Sequence, residues 1–146
     1  MILVDSNLLI YATTKCVQQP AATRWLDEAL GADTRVALPW ISLLAFTRVV
    51  TNHRIYKKPL RMHEAVEEIE RWLARPNVWI PAPGRDHLAY LARALQFISG
   101  DAHLVTDAHV AALAFEHGLT VCSADSDFAR FSGLKWVNPL SLTPGV

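Results

Sequence analysis

The chain has 146 residues, of which 51% are hydrophobic and 19% charged, enough for one domain to bury roughly 70% of its unfolded surface. That excludes a disordered tail, and the two cysteines, Cys16 and Cys122, are too few and too unpatterned for a disulfide framework or a thiolate zinc site. Fourteen Lys and Arg balance fourteen Asp and Glu, which argues against non-specific polyanion binding while allowing opposite local fields.

The first residues form an apolar strand, Ile2-Leu3-Val4, and meet Asp5 at once, with no basic region ahead of an apolar leader segment. No apolar run approaches the ~20 residues of a membrane span, and the two unpatterned cysteines make a reducing cytoplasm the expected setting. Ala22, Trp25, Leu26, Ala29 and Leu30 repeat at helical spacing, and Gly31 follows as the expected C-cap. A second strand, Val36-Ala37-Leu38, leads to a helix that Ser42 is expected to cap, which carries Leu43, Phe46, Val49 and Val50 and ends near Asn52. His63 to Arg75 reads as an amphipathic helix, and a third strand, Val78-Trp79-Ile80, is bracketed by prolines.

Two more helices are expected, from Asp86 to about Ile98 and from Thr106 to His117, where Gly118 ends the second. Thr120-Val121-Cys122 and Lys135-Trp136-Val137 complete five strands, and the residues from Asn138 read as trailing coil. Continuous apolar strands alternating with amphipathic helices predict an α/β chain: a single three-layer α/β/α domain over residues 1–146 with a mostly parallel five-stranded sheet. The six histidines show no metal-ligand spacing and are expected to be solvated or to lie on helix faces, and Trp25, Trp72, Trp79 and Trp136 are expected in the core. Glycine-rich phosphate loops and nucleophile-elbow motifs are absent.

In such a sheet, ligands bind beyond the C-terminal strand ends. Asp5 follows the first strand, Ser123, Asp125 and Asp127 follow the fourth, and Asp107 opens the helix leading toward the fourth. Taken singly, Asp107 reads as a helix-start residue, and Asp125 and Asp127 as turn formers. Together, facing carboxylates repel unless a cation neutralises them, and hard oxygen ligands suit Mg²⁺ or Mn²⁺. From Thr34 to His63 there is no acid, yet the stretch holds Arg35, Arg48, Arg54, Lys57, Lys58 and Arg61. These basic residues are candidate phosphate contacts, with Tyr56 or Trp40 available for base stacking, and the combination fits a metal-dependent nuclease.

The opening MILVDSNLLIYA, the stretch LPWISLLAFTRVVTNHRIY from Leu38 to Tyr56, and TDAHVAALAFEHGLTVCSADSDFARF from Thr106 to Phe131 resemble the PIN-domain family, in particular the VapC-type ribonuclease toxins of bacterial toxin–antitoxin pairs. The resemblance implies an Mg²⁺- or Mn²⁺-dependent endoribonuclease that leaves a 5′-phosphate and a 3′-hydroxyl. It implies Asp5, Asp107 and Asp125 as metal ligands, Asp127 as a ligand or its support, and Asn7, Ser42 and Ser123 as residues that position them. It also implies a VapB-like antitoxin covering the acidic pocket, and a homodimer within a larger complex.

The chain departs from the family in one place: many relatives carry Glu four residues after the serine matching Ser42, and here that residue is Phe46. Losing one negative ligand is expected to weaken any second metal site most. It also keeps open a different class of function, an RNA- or protein-binding module without catalysis. A phosphotransferase using Asp5 as nucleophile is disfavoured, since the second acid that a haloacid-dehalogenase-like phosphatase needs is replaced by Asn7.

Overall fold

The computed structural model describes residues 1–141. Its strands are β1 (Ile2–Val4), β2 (Val36–Ala37), β3 (Val78–Trp79), β4 (Thr120–Cys122) and β5 (Trp136–Val137), in the order β3-β2-β1-β4-β5. All four pairings are parallel, where the sequence predicts a mostly parallel sheet. The connecting helices are α1 (Ser6–Thr13), α2 (Gln19–Gly31), α3 (Trp40–Val50), α4 (Met62–Leu73), α5 (His87–Gln96) and α6 (Val105–His117). No described helix is long and apolar enough to cross a membrane.

Strand alternation divides the core in two. Leu3, Ala37 and Val121 belong with Ala94 of α5, Ala108 and Ala111 of α6, and the rings of Phe128 and Phe131. Val4, Val36, Leu38 and Cys122 belong with residues of α1, α2, α3 and α4. Both faces of the sheet are therefore covered, the arrangement that short all-apolar parallel strands require.

Several local expectations need correction. Gly31 is the last residue of α2, and the helix closes through Ala32 N–H donating to the Ala29 carbonyl rather than through a left-handed glycine. Gly118 does adopt the left-handed cap, with φ 66°, and Leu119 N–H donates to the Ala114 carbonyl at 2.8 Å. Pro39, not Ser42, occupies the cap of α3, because the proline φ of −69° already suits a helix entry. Ser42 falls in the first turn, buried, with no hydrogen-bond partner for its Oγ among the described residues.

Helix α1 has no counterpart among the expected elements. It is apolar on most sides because α2 and α3 both pack against it, so it lacks a readable amphipathic period. His87 is buried rather than solvated: its Nδ1 lies 2.7 Å from Glu116 Oε2 and its Nε2 3.1 Å from His109 Nδ1, joining α5 to α6. Residues 138–141 make a turn in which Leu140 packs on the core. The rest of the expected tail lies outside the described residues.

Phe46 is fully buried, and its ring meets Trp72 of α4 edge-on at 4.8 Å between centroids. A carboxylate there would lose that packing and leave a charge desolvated. Phe46→Glu is expected to destabilise the protein by at least about 3 kcal/mol, lowering the thermal midpoint by roughly 10 °C. Calorimetric melting checks this; an unchanged midpoint would show that position 46 tolerates an acid.

Candidate active site

The β1–β4 register pairs Val4 with Cys122, so the next residues, Asp5 and Ser123, leave the sheet side by side. Asp5 N–H donates to the Cys122 carbonyl at 3.0 Å. Ser123 Oγ donates to Asp5 Oδ2 at 2.7 Å and accepts from Asn7 Nδ2 at 2.9 Å and from Asp125 N–H at 3.0 Å. The other Asp5 oxygen accepts Ser6 N–H at 2.8 Å, and Asn7 Oδ1 accepts Ala124 N–H at 3.2 Å. One hydroxyl thus joins the loop after β1 to the loop after β4, with its donor and both acceptor positions in use.

Asp125 Oδ1 accepts Asp127 N–H at 2.9 Å and caps the 3-10 turn Ser126–Arg130. The turn-forming reading of Asp125 therefore holds, and its second carboxylate oxygen remains for other work. Asp107 stands in the first turn of α6, where the helix N-terminus favours a negative charge. Asp5, Asp107, Ser6 and Thr106 line a pocket of about 380 Å³ with Ile41, Ser42 and Arg48 of α3. Arg48 is the one cationic residue among its lining groups.

The acids feel one another. Burial pushes the Asp107 carboxyl up to about 6, and the negative charges of Asp5, Asp125 and Asp127 add to the shift. Asp5 is also raised, by burial first and by Asp125, against the lowering effect of its bonds from Ser123 and Ser6. Among the described residues no three His, Cys, Asp or Glu groups are gathered closely enough to cage an ion as they stand. In kind the donors fit a hard divalent cation: carboxylate oxygens on three separate segments, close enough for their charges to repel.

The remaining basic candidates do not line this pocket. Arg54 is exposed in the turn after α3, where its N–H bonds Asn52 Oδ1, and Arg61 is the cap residue of α4, with its N–H on Glu64 Oε2. Lys57 and Lys58 line a different cavity with Tyr56. Arg35 stacks on the Trp79 ring at 4.9 Å, and Trp40 is more than half exposed. Thr106 was not anticipated at the pocket; the Thr-Asp pair at a helix start is the signal that could have placed it.

This parallel sheet, with its acids at the C-terminal strand ends, defines a PIN-like nuclease scaffold. A sequence model of the PIN domain matches residues 2–134, and the chain belongs to the PIN-domain family. Ribonuclease VapC37 of Mycobacterium tuberculosis is 41% identical over 143 residues, covering 97% of this chain and 99% of the relative. Ribonuclease VapC33 of the same species is 36% identical over 141 residues, covering 96% and 99%. In three dimensions the chain resembles VapBC2 from Rickettsia felis, solved bound to a DNA fragment from their promoter, with a TM-score of 0.69 at 17% identity over 94% of this chain and 98% of that one.

The raised Asp107 has a consequence for stability. Its native value of about 6 lies above the ordinary 3.8, so the folded state holds this proton more tightly than the unfolded chain. Ionised Asp107 therefore costs the metal-free fold stability at pH 7, and the cost is relieved as pH falls through 6 toward 4. For a half-exposed group the screened cost is about 1 kcal/mol. Asp107→Asn is expected to raise the melting midpoint in EDTA by roughly 3 °C at pH 7.5 and to bring little gain at pH 4; equal effects at both values would contradict this.

Proposed function

We propose that this chain, acting as a single domain over residues 1–146, is the ribonuclease toxin of a toxin–antitoxin pair, a hydrolase whose RNA cleavage depends on Mg²⁺ or Mn²⁺. The observation that carries the metal dependence is the set of carboxylates raised by burial and by one another around a single pocket. Asp5, Asp107 and Asp125 would hold the ion, with Asp127 beside them. A divalent cation there supplies charge compensation and polarises the scissile phosphodiester.

The chain's own groups then divide the remaining work. Ser123 and Asn7 fix Asp5 through the 2.7 and 2.9 Å bonds, and the Ser6 N–H holds its second oxygen. Ser42 lines the pocket with its hydroxyl unpartnered, ready to bond an incoming group. Arg48 contributes a positive charge toward the phosphate side of the same pocket. Arg54, Lys57, Lys58 and Arg61 contact RNA farther along the strand. With Phe46 buried against Trp72, one ion rather than two is the reading.

The partner is a VapB-like antitoxin that covers the pocket, within a complex containing a toxin homodimer, at work in the cytoplasm. Trp40 and Leu44, one helical turn apart on α3, are 54% and 62% exposed beside the pocket. They offer an apolar strip for an amphipathic partner segment. The fold's likeness to the VapBC2 complex supports the same reading.

The substitution by Phe46 favours one alternative, a module that binds RNA without cutting it. Incubating total RNA with the purified chain separates the two. Discrete fragments are expected with Mg²⁺ or Mn²⁺ and none with EDTA, and Asp5→Asn should lower the rate by at least about a hundredfold with an unchanged circular dichroism spectrum. Full cleavage by the folded Asp5 variant would remove the assignment, and bound but uncut RNA would establish the alternative.

A further inference from the structure

The two helices that open at the acidic pocket close at a second cavity. Ser6 of α1 and Ile41 of α3 line the first, while Thr13 of α1 and Val50 of α3 line the second, which has a volume of about 520 Å³. At 1.5 Å per residue Ser6 and Thr13 lie about 10 Å apart along α1, while on α3 the first pocket's lining reaches Arg48, about 3 Å short of Val50, so the two cavities adjoin along that helix. Arg48 lines the first pocket at its end nearer the second cavity.

The second cavity combines three chemical features. Val50 and Leu60 supply an apolar floor, and Tyr56, half-buried, supplies a ring. Lys15, Lys57 and Lys58 stand exposed at the rim, while no acid lines the cavity. Among the described residues none of these lysines is in an ion pair. Lys15 arrives from the segment after α1, far from the other two in sequence, so the fold draws three like charges together instead of spreading them. The loop that carries Tyr56, Lys57 and Lys58 is anchored at both ends: Tyr56 N–H donates to the Asn52 carbonyl at 3.0 Å and Leu60 N–H to the Val50 carbonyl at 2.9 Å. The backbone that carries the ring and two of the rim charges is therefore fixed before any ligand arrives.

An apolar floor and an aromatic ring below a rim of unpaired cations is complementary to a base with its flanking phosphates. We propose that this cavity is a nucleotide subsite for single-stranded RNA, taking a base against Tyr56 and its phosphates on Lys15, Lys57 and Lys58, on the same strand whose bond is addressed at the acidic pocket. The proposal rests on the ribonuclease reading for the identity of the strand, but the cavity shares no lining residue with the acidic pocket.

The test is fluorescence anisotropy with a labelled single-stranded RNA of twelve mixed-sequence nucleotides and the full chain in EDTA, so that binding is read without cleavage. Tyr56→Leu should weaken binding at least about fivefold and leave the salt dependence unchanged, whereas Tyr56→Phe, which keeps the ring, should bind as the native chain does. Lys57→Gln and Lys58→Gln should each weaken binding several-fold and reduce the slope of log affinity against log salt by about 0.7. Native RNA affinity and native slope in the folded Tyr56→Leu and lysine variants overturn the subsite, including the case in which they lose only an acidic protein partner. If the native chain cuts no RNA with either metal but shows these binding losses, the ribonuclease reading fails and the subsite stands.

Discussion

The hydrogen bond from Ser123 to Asp5 is the constraint on which the rest of the site depends. It exists because β1 and β4 pair in parallel with Val4 opposite Cys122, which sets the two following residues beside each other where the strands end. A register slip by one residue would turn Asp5 toward the wrong face of the sheet. The serine hydroxyl has a single proton, and it goes to Asp5; Asn7 and the Asp125 amide then fill its acceptor positions. The orientation of one carboxylate and the path of the loop carrying another are thereby set by the same atom.

Electrostatics gives that geometry its chemical meaning. The fold buries Asp5 and brings it within the field of Asp125, and it raises Asp107 to about 6 through burial and three neighbouring negative charges. Such a cluster is destabilising by itself, and a cation is the natural relief. The opposite wall comes from α3, which contributes Arg48 and an unpartnered serine hydroxyl in place of an acid. Phe46 lies on the core side of that helix, against Trp72. On the proposed reading, the balance of charge at the pocket suits one cation with Arg48 beside it.

Much of this could be read from the residues. Short apolar triplets between turn signals located all five strands, because a parallel sheet covered on both faces selects continuous apolar runs. The strand-end rule then placed Asp5 and Ser123 together across more than a hundred residues of chain. Helix α1 was hidden because it is packed by two other helices and shows no polar face. Ser42 looked like a cap because serine favours that place, yet Pro39 reached it first.

The basic residues between Arg48 and Arg61 read as one patch because they are close in sequence. In space the end of α3 and the following turn separate them, sending Arg48 to the acidic pocket and Lys57 and Lys58 to the second cavity. Lys15 joins that cavity from a distant segment, which linear spacing could not reveal. His87 was hidden for a similar reason: its partners, Glu116 and His109, lie on another helix.

The measurement that bears most directly on this account is Mn²⁺ binding followed by electron paramagnetic resonance, with the native chain and Asp107→Asn titrated side by side at pH 7.5. The account predicts saturable binding of one ion per chain that is lost or weakened at least about tenfold in the variant. Binding that never saturates, or that is the same in both proteins, would contradict it.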